Sequence, residues 1–382
     1  MKVKSDKANG KSGIYIHIPF CRQKCLYCDF CSFPVASAES IASYVSALVD
    51  EIERNAEKYR RRAVDTVYFG GGTPTLLTPK QFEAILTSLG GVFDISHDSE
   101  ITVECNPATA NEQYFAELRS LGINRVSIGV QSANQNELSA LGRIHSFGDA
   151  VKTVEDAKKA GFSNVSADIM FGIPEQTEES FLFTLESICK LDIPHISAYG
   201  LKIESGTPFA KNHKSLVLPD EDSEYNMYET AVKLLSQHGI ERYEISNFAK
   251  KGYASRHNLK YWQYYDYIGF GVSAHSFVDG IRYSNSRDIK AYVNGLDIRD
   301  SFERIDIRAA ENEYVMLGMR LSDGIDTTLF EKRFGESFDS KFGPALSPFV
   351  KSGHVIFENG ICRFSNTGFY VSNYILSSIL DI

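Results

Sequence analysis

Seven cysteines occur in 382 residues, and four of them fall within eleven: Cys21, Cys25, Cys28 and Cys31. Thiols crowded in this way in a reducing compartment bind metal or carry redox chemistry, and an odd, clustered set does not make a secreted disulfide framework. The spacing Cys-x3-Cys-x2-Cys brings three sulfurs to one small volume. With Cys31 as a fourth ligand the set suits a structural zinc knuckle. With three ligands, a four-iron cluster keeps one iron with an open position, able to take a small chelating molecule. Cys105, Cys189 and Cys362 stand apart and read as small buried residues.

Two further groups have chemical capacity. In Phe69-Gly70-Gly71-Gly72-Thr73-Pro74, consecutive glycines let backbone approach a ligand, and amides or carbonyls there can pair with the ammonium and carboxylate of an amino acid; the same run also makes an ordinary turn. Glu104, Gln131 and Asp168 end or lie within three successive β-branched runs, and Arg143 follows Gln131 by twelve residues. Singly these are unremarkable strand termini. Together they form a ring suited to ribose hydroxyls and a charged amino acid.

These residues must be positioned by alternating elements. Strands are expected at Ile14-Ile18, Val64-Phe69, Glu100-Cys105, Arg125-Val130, Asn164-Met170 and His195-Tyr199. Helical patterns lie between them at about Ser40-Lys58, Pro79-Leu89, Asn111-Leu121, Ser146-Ala160 and Glu178-Leu191. Serial βαβ units imply an α/β fold with a parallel sheet, and six are too few for a closed eight-stranded barrel, so the expected fold is an open six-stranded partial (β/α)6 TIM-type barrel. Ligands of such folds sit at the carboxyl ends of the strands, where the cysteines, the glycines and the polar ring all fall. The expected divisions are 1–240 for the barrel, 241–300 for an aromatic-rich segment packed on it, and 301–382 for a small C-terminal domain. There, three helical patterns, two short strands at Val355-Glu358 and Ile361-Ser365 and a last helix read as winged-helix-like.

Cys-x3-Cys-x2-Cys in the first βα loop resembles the radical S-adenosylmethionine (SAM) superfamily, in which the methionine end of SAM chelates the unique iron. The resemblance implies a [4Fe-4S] cluster on Cys21, Cys25 and Cys28, with Tyr27 against the adenine and Gly71, Gly72 and Thr73 as the methionine-binding glycine motif. Tyr15, Glu104, Gln131, Arg143 and Asp168 match the SAM contacts of the HemN-like family, the anaerobic coproporphyrinogen oxidases and their relatives.

Within that family, the oxidase branch carries a long N-terminal extension and a cysteine one residue beyond the third. This chain has twenty residues before Cys21 and continues Asp29-Phe30-Cys31, so it is more similar to the heme-chaperone (HemW) branch. Cys25-Leu26-Tyr27-Cys28-Asp29-Phe30 and His257-Asn258-Leu259-Lys260-Tyr261-Trp262 match that branch's signatures. The second signature lies in a stretch, Tyr253-Tyr283, with nine aromatics in 31 residues. A neutral imidazole is a natural axial heme ligand and aromatic faces stack on porphyrin, although the same residues can simply pack a loop. The resemblance thus implies a heme site at His257, Asn258, Tyr261 and Trp262, with His275 as an alternative ligand. It implies a carrier that passes heme to acceptors such as membrane-bound respiratory hemoproteins, and an electron donor for the cluster. No catalytic residue is assigned. The other reading is an enzyme that oxidatively decarboxylates coproporphyrinogen III, a substrate whose propionates call for an enclosed basic cavity; the short N-terminus argues against such a cover.

Composition narrows the rest. With 40 Lys+Arg against 49 Asp+Glu and a net charge of −9, nonspecific nucleic-acid binding is not expected. No window approaches 18 uninterrupted apolar residues, and MKVKSDKANGKSG opens without an apolar stretch. An integral membrane protein and a secreted one are therefore not expected, and the expected location is the cytoplasm.

Overall fold

A computed structural model describes residues 11–35, 37–296 and 299–380. The lysine-rich start, on which the reading of a missing leader rests, lies largely outside the described residues. Among the described residues, no helix is long and apolar enough to cross a membrane.

The six expected strands form as β1 (Ser12–Ile18), β2 (Ala63–Gly71), β3 (Asp94–Cys105), β4 (Arg125–Gln131), β5 (Asn164–Phe171) and β6 (His195–Gly200), all parallel and in sequential order. Helices connect them: α1 (Ala38–Arg54), α2 (Pro79–Val92), α3 (Glu112–Ser120), α4 (Phe147–Lys159) and α5 (Glu178–Cys189). Their starts are well specified. Ser37, Thr78, Ser146 and Thr177 each close a capping box, which supplies partners to amides that the helix itself leaves free.

The sheet is wider than six strands, because the aromatic-rich segment extends it instead of lying against it. Beyond β6 come the short antiparallel β7 (Glu241–Arg242) and β8 (Asn247–Ala249). On the other side β9 (Tyr267–Phe270) pairs parallel with β1, and β10 (His275–Val278), β11 (Ile281–Asn285) and β12 (Arg299–Arg304) continue as an antiparallel meander. The full order is β12-β11-β10-β9-β1-β2-β3-β4-β5-β6-β8-β7. The helices of this region include α6 (Glu221–Gln237), absent from the sequence reading, α7 (Arg256–Trp262), which carries the His-Asn-x-x-Tyr-Trp signature, and a short helix Ile289–Val293.

The two faces of the parallel strands differ in kind. Ile14, Ile16, Val67, Phe69, Val103, Val126, Ile128, Val165, Ala167 and Ile196 face the helices and form the main core. The alternate positions, Tyr68, Glu104, Arg125, Ser127, Asp168, Ser197 and Tyr199, line a cavity on the other face. Period-two alternation here separates an apolar outer face from a polar interior.

The C-terminal unit has its own core around Val315, Phe330, Phe338, Leu346, Cys362 and Ile375, joined by Tyr264 and Phe277 from the aromatic segment. Its order is α8 (Ile307–Gly318), a short strand Ile325–Asp326, α9 (Thr327–Phe334), α10 (Phe338–Lys351), a hairpin of Val355–Glu358 with Ile361–Phe364, and helices Asn366–Tyr370 and Ser372–Ile379; Ile325–Asp326 pairs with Ile361–Phe364, so the expected two strands become a three-stranded sheet.

Candidate functional site

One cavity of about 520 Å³ opens at the carboxyl ends of the strands. Cys21, Cys25 and Cys28 line it together with Tyr27, Gly71, Gly72, Glu104, Gln131, Arg143 and Asp168, so nearly all of the expected cluster and SAM residues share one wall. Two stand just outside it. Tyr15 bonds His17 Nδ1 at 3.0 Å and stacks on Tyr68, while Thr73 reaches Cys21 Sγ at 3.6 Å and accepts from Asn106 Nδ2 at 2.7 Å.

Cys31 is absent from this wall; it is buried near Ser273 and Arg287 instead. Among the described residues no three His, Cys, Asp or Glu side chains gather closely enough to cage one metal ion. Zinc holds thiolates at about 2.3 Å, which packs them tightly, whereas a four-iron cluster takes each thiolate on a different iron and needs them spread around its body. Three cysteines distributed over a cavity wall fit the larger group. Burial pushes the Cys21 and Cys28 thiols up, so their protons leave as iron binds.

The glycine run does more than approach a ligand. A Cβ on Gly71 would enter the His17 ring, and one on Gly72 would meet Phe20 O at 2.5 Å, so these glycines let the end of β2 pack under the loop that carries Cys21. Gly71 is also at φ +110°, where side chains are strained. The amides are spoken for: Gly71 N donates to Glu104 Oε2 (3.0 Å), Gly72 N to Ile18 O (2.8 Å) and Thr73 N to Phe20 O (2.7 Å). The expectation that this loop offers amides to a carboxylate is therefore corrected. What it can turn to an amino acid is carbonyl oxygen, suited to an ammonium.

Glu104 accepts from Tyr68 OH at 2.8 Å as well, and burial raises its carboxyl from 4.5 to about 7 against the pull of those two donors. Asp168 accepts from Ser127 Oγ at 3.0 and 3.3 Å and is also raised by burial. Gln131 sits at φ +70° at the end of β4, an uncommon conformation for a side-chain-bearing residue, which turns it into the cavity mouth. Arg143 donates to Asn106 Oδ1 at 3.0 Å, while its Nε is buried without a partner and available to a carboxylate. Tyr27 packs against the small cluster of Leu141, Met170, Ile173 and Phe209, which holds the cysteine loop over the cavity.

Residues 15–188 match the radical SAM superfamily, and residues 308–371 match the HemN C-terminal domain. The heme chaperone HemW of Bacillus subtilis (strain 168) is 34% identical over 374 residues, covering 96% of this chain and 98% of its own. The chain belongs to the HemW family of radical SAM proteins. HemW of Escherichia coli (strain K12) is 37% identical over 287 residues, 74% of this chain and 75% of its own. The solved radical SAM coproporphyrinogen III oxidase HemN of Escherichia coli superposes with TM-score 0.85 over 97% of this chain and 91% of that one; at 22% identity it bears on the fold alone. Membership of the radical SAM superfamily implies a [4Fe-4S] cluster and SAM, and the cavity suits both.

The HemW-type signature on α7 is not gathered at the mouth. His257 is 1% exposed; its Nδ1 is 2.9 Å from Thr66 Oγ1, its Nε2 is 2.9 Å from Tyr261 OH, and its ring stacks on Tyr68. Burial and the nearby Lys260 hold it neutral, at about 3, yet both ring nitrogens are engaged and neither offers iron a lone pair. Lys260 pairs with Asp65 at 2.6 Å and donates to Lys11 O at 2.7 Å. The α7 helix thus closes the floor of the cavity, with Asn258 facing into it and Tyr261 and Trp262 half-buried beside it. His275, by contrast, is exposed at the start of β10.

The cavity also contains Tyr68, Arg125, Ser127, Ser197 and Tyr199, which the sequence reading did not single out. Their signal was the polar half of each alternating strand.

Proposed function

We propose that this protein binds heme and delivers it to acceptor hemoproteins, using an open (β/α)6 radical SAM barrel with a C-terminal unit of winged-helix type. The observation that carries this reading is the 34% identity to a protein named as a heme chaperone over 96% of the chain. Cys21, Cys25 and Cys28 hold the cluster. SAM lies across Gly71, Gly72, Thr73, Glu104, Gln131, Arg143 and Asp168, with Tyr27 near its base and Tyr15 supporting the wall.

For heme, His275 takes the role first expected of His257. Its imidazole is exposed, and partial burial together with Arg282 and Arg287 holds it below the usual histidine range, so it carries a free lone pair at neutral pH. Guanidinium groups suit heme propionates. Arg287 donates to Asp29 O at 3.3 Å, which ties this rim to the cysteine loop, where Phe30 is 67% exposed and can cover a porphyrin face. Respiratory hemoproteins as acceptors, an electron donor for the cluster and a cytoplasmic location complete the reading. The test is an anaerobic titration of cluster-loaded protein with heme and, separately, with coproporphyrinogen III. A saturable heme absorption band without decarboxylated product supports the carrier; vinyl product on addition of SAM and reductant supports the oxidase.

A further inference from the structure

Arg125 opens β4 and points into the cavity from its floor, 1% exposed. Its Nη2 lies 3.4 Å from His195 Nδ1, while Nε and Nη1 have no hydrogen-bond partner. A buried guanidinium with unpaired donors is costly unless fixed negative charge surrounds it. Three carboxylates do so: Glu100, Glu104 and Asp168. Glu100 is committed to the floor, accepting from the backbone amides of Arg256 and His257 at 3.1 and 3.0 Å. Glu104 and Asp168 face the cavity.

We infer that Arg125 is a positioning residue for SAM: buried on the cavity floor with two unpartnered donor nitrogens, in the wall that also carries Glu104 and Asp168, it acts through those two carboxylates, which accept hydrogen bonds from ribose. The inference rests on the reading above that SAM lies across these two carboxylates.

The surroundings leave few other cations for the task. Asp168 is faced by Arg125 and Ser127 from β4, by Ser197 and Tyr199 from β6, by Glu104 from β3, by Tyr68 from β2, and by Tyr27 and Arg143 at the mouth. Glu104 is faced by Tyr68 and the Gly71 amide, by Tyr15 from β1, by Tyr261 from α7, by Asp168 and by Arg125. Of the other cations lining the cavity, Lys24 donates to Phe30 O at 3.1 Å, Lys202 pairs with Glu204 at 2.7 Å, and Arg143 stands beside the cysteines, where a bound cluster and a carboxylate ligand draw on its charge. Burial raises both carboxyls, the charge of Asp168 raises Glu104 further, and Arg125 lowers both.

The test compares the parent with Arg125→Met, similar in length but neutral, and with Arg125→Lys, which keeps the charge. SAM binding to anaerobic, cluster-loaded protein is measured by equilibrium dialysis from pH 6 to pH 9; titration of SAM itself is common to all samples and cancels. Arg125→Met should move the midpoint of the pH dependence upward by about one unit, weakening binding about tenfold near neutrality with recovery toward pH 9. Arg125→Lys should keep the midpoint close to the parent's. Should the Met variant fail to fold, as judged by circular dichroism and iron content, Arg125→Gln is neutral but polar and carries the same expectation. A neutral variant with the parent's midpoint overturns the inference, whether its affinity is unchanged or lowered equally at every pH, because the uniform loss is what a merely structural role produces. A parent that binds no SAM at any pH overturns the SAM reading itself, and this inference with it.

Discussion

Replacing Glu104 by glutamine should make the SAM-free protein more stable at pH 8, less stable at pH 5, and a poorer binder of SAM. The carboxyl has an ordinary value of 4.5 and is raised to about 7 in the fold, chiefly by burial. For an acid raised in this way, the stabilising contribution is fully present below the unfolded value and is lost as pH rises through the folded one. The interval from 4.5 to about 7 corresponds to ~3 kcal/mol that the parent has lost at pH 8. Glutamine never ionises and avoids that cost. It has one acceptor oxygen for the two donors, Tyr68 OH and Gly71 N, and leaving one of them poorly paired costs ~1–2 kcal/mol. The balance is a gain of ~1–2 kcal/mol for Glu104→Gln at pH 8 and a smaller deficit, ~0.5 kcal/mol, at pH 5, where the folded parent carboxyl is neutral but the unfolded one is already largely ionised. Urea unfolding of both proteins at the two pH values reads the crossover. SAM affinity at pH 8 should fall by ~1.5–3 kcal/mol, the usual worth of hydrogen bonds to a charged group. A parent at least as stable as the variant at pH 8 would refute the account of Glu104 as a destabilising, ligand-directed carboxylate.

Removing Cys21, Cys25 or Cys28 should abolish the brown chromophore of reconstituted protein, whereas Cys31→Ala should keep it; equal loss in all four would mean a four-cysteine site. Gly72→Ala places a methyl group against the Phe20 backbone and should displace the loop bearing Cys21, seen as lower iron content per chain. His257→Ala loses both ring hydrogen bonds and the stacking on Tyr68 and leaves a void, so its melting temperature should fall by the equivalent of ~2–4 kcal/mol while the heme band persists. His275→Ala should show the reverse: unchanged melting and a shifted or missing heme band.

The parallel strands were legible because β-branched runs and capping residues recur at regular spacing, and local chemistry decides both. The cluster and SAM residues were legible because their spacing is short-range and their strand ends fall on one side of a parallel sheet. What remained hidden depends on distant pairing. Tyr267–Phe270 is a four-residue strand whose place beside β1 is set by contacts some 250 residues apart in sequence, so its aromatics resemble a loop when read alone. His257 looked like an iron ligand because its residue type permits it; only the fold brings Thr66 and Tyr261 to its two nitrogens. Arg125 could have been found earlier, since Arg125, Ser127, Gly129 and Gln131 occupy the inward positions of a strand whose outward residues are Val126, Ile128 and Val130.

The central claim, that the chain carries heme, is tested most directly by transfer. Heme-loaded, cluster-bearing protein is mixed anaerobically with an apo-hemoprotein, separated from it by affinity capture, and the heme on each partner is read from its absorption spectrum. The account predicts that heme moves to the acceptor from the parent protein and that His275→Ala, mixed with the same heme, delivers no more than free heme alone does. Heme that stays with the parent, together with conversion of coproporphyrinogen III to its decarboxylated product by the same preparation, would contradict it.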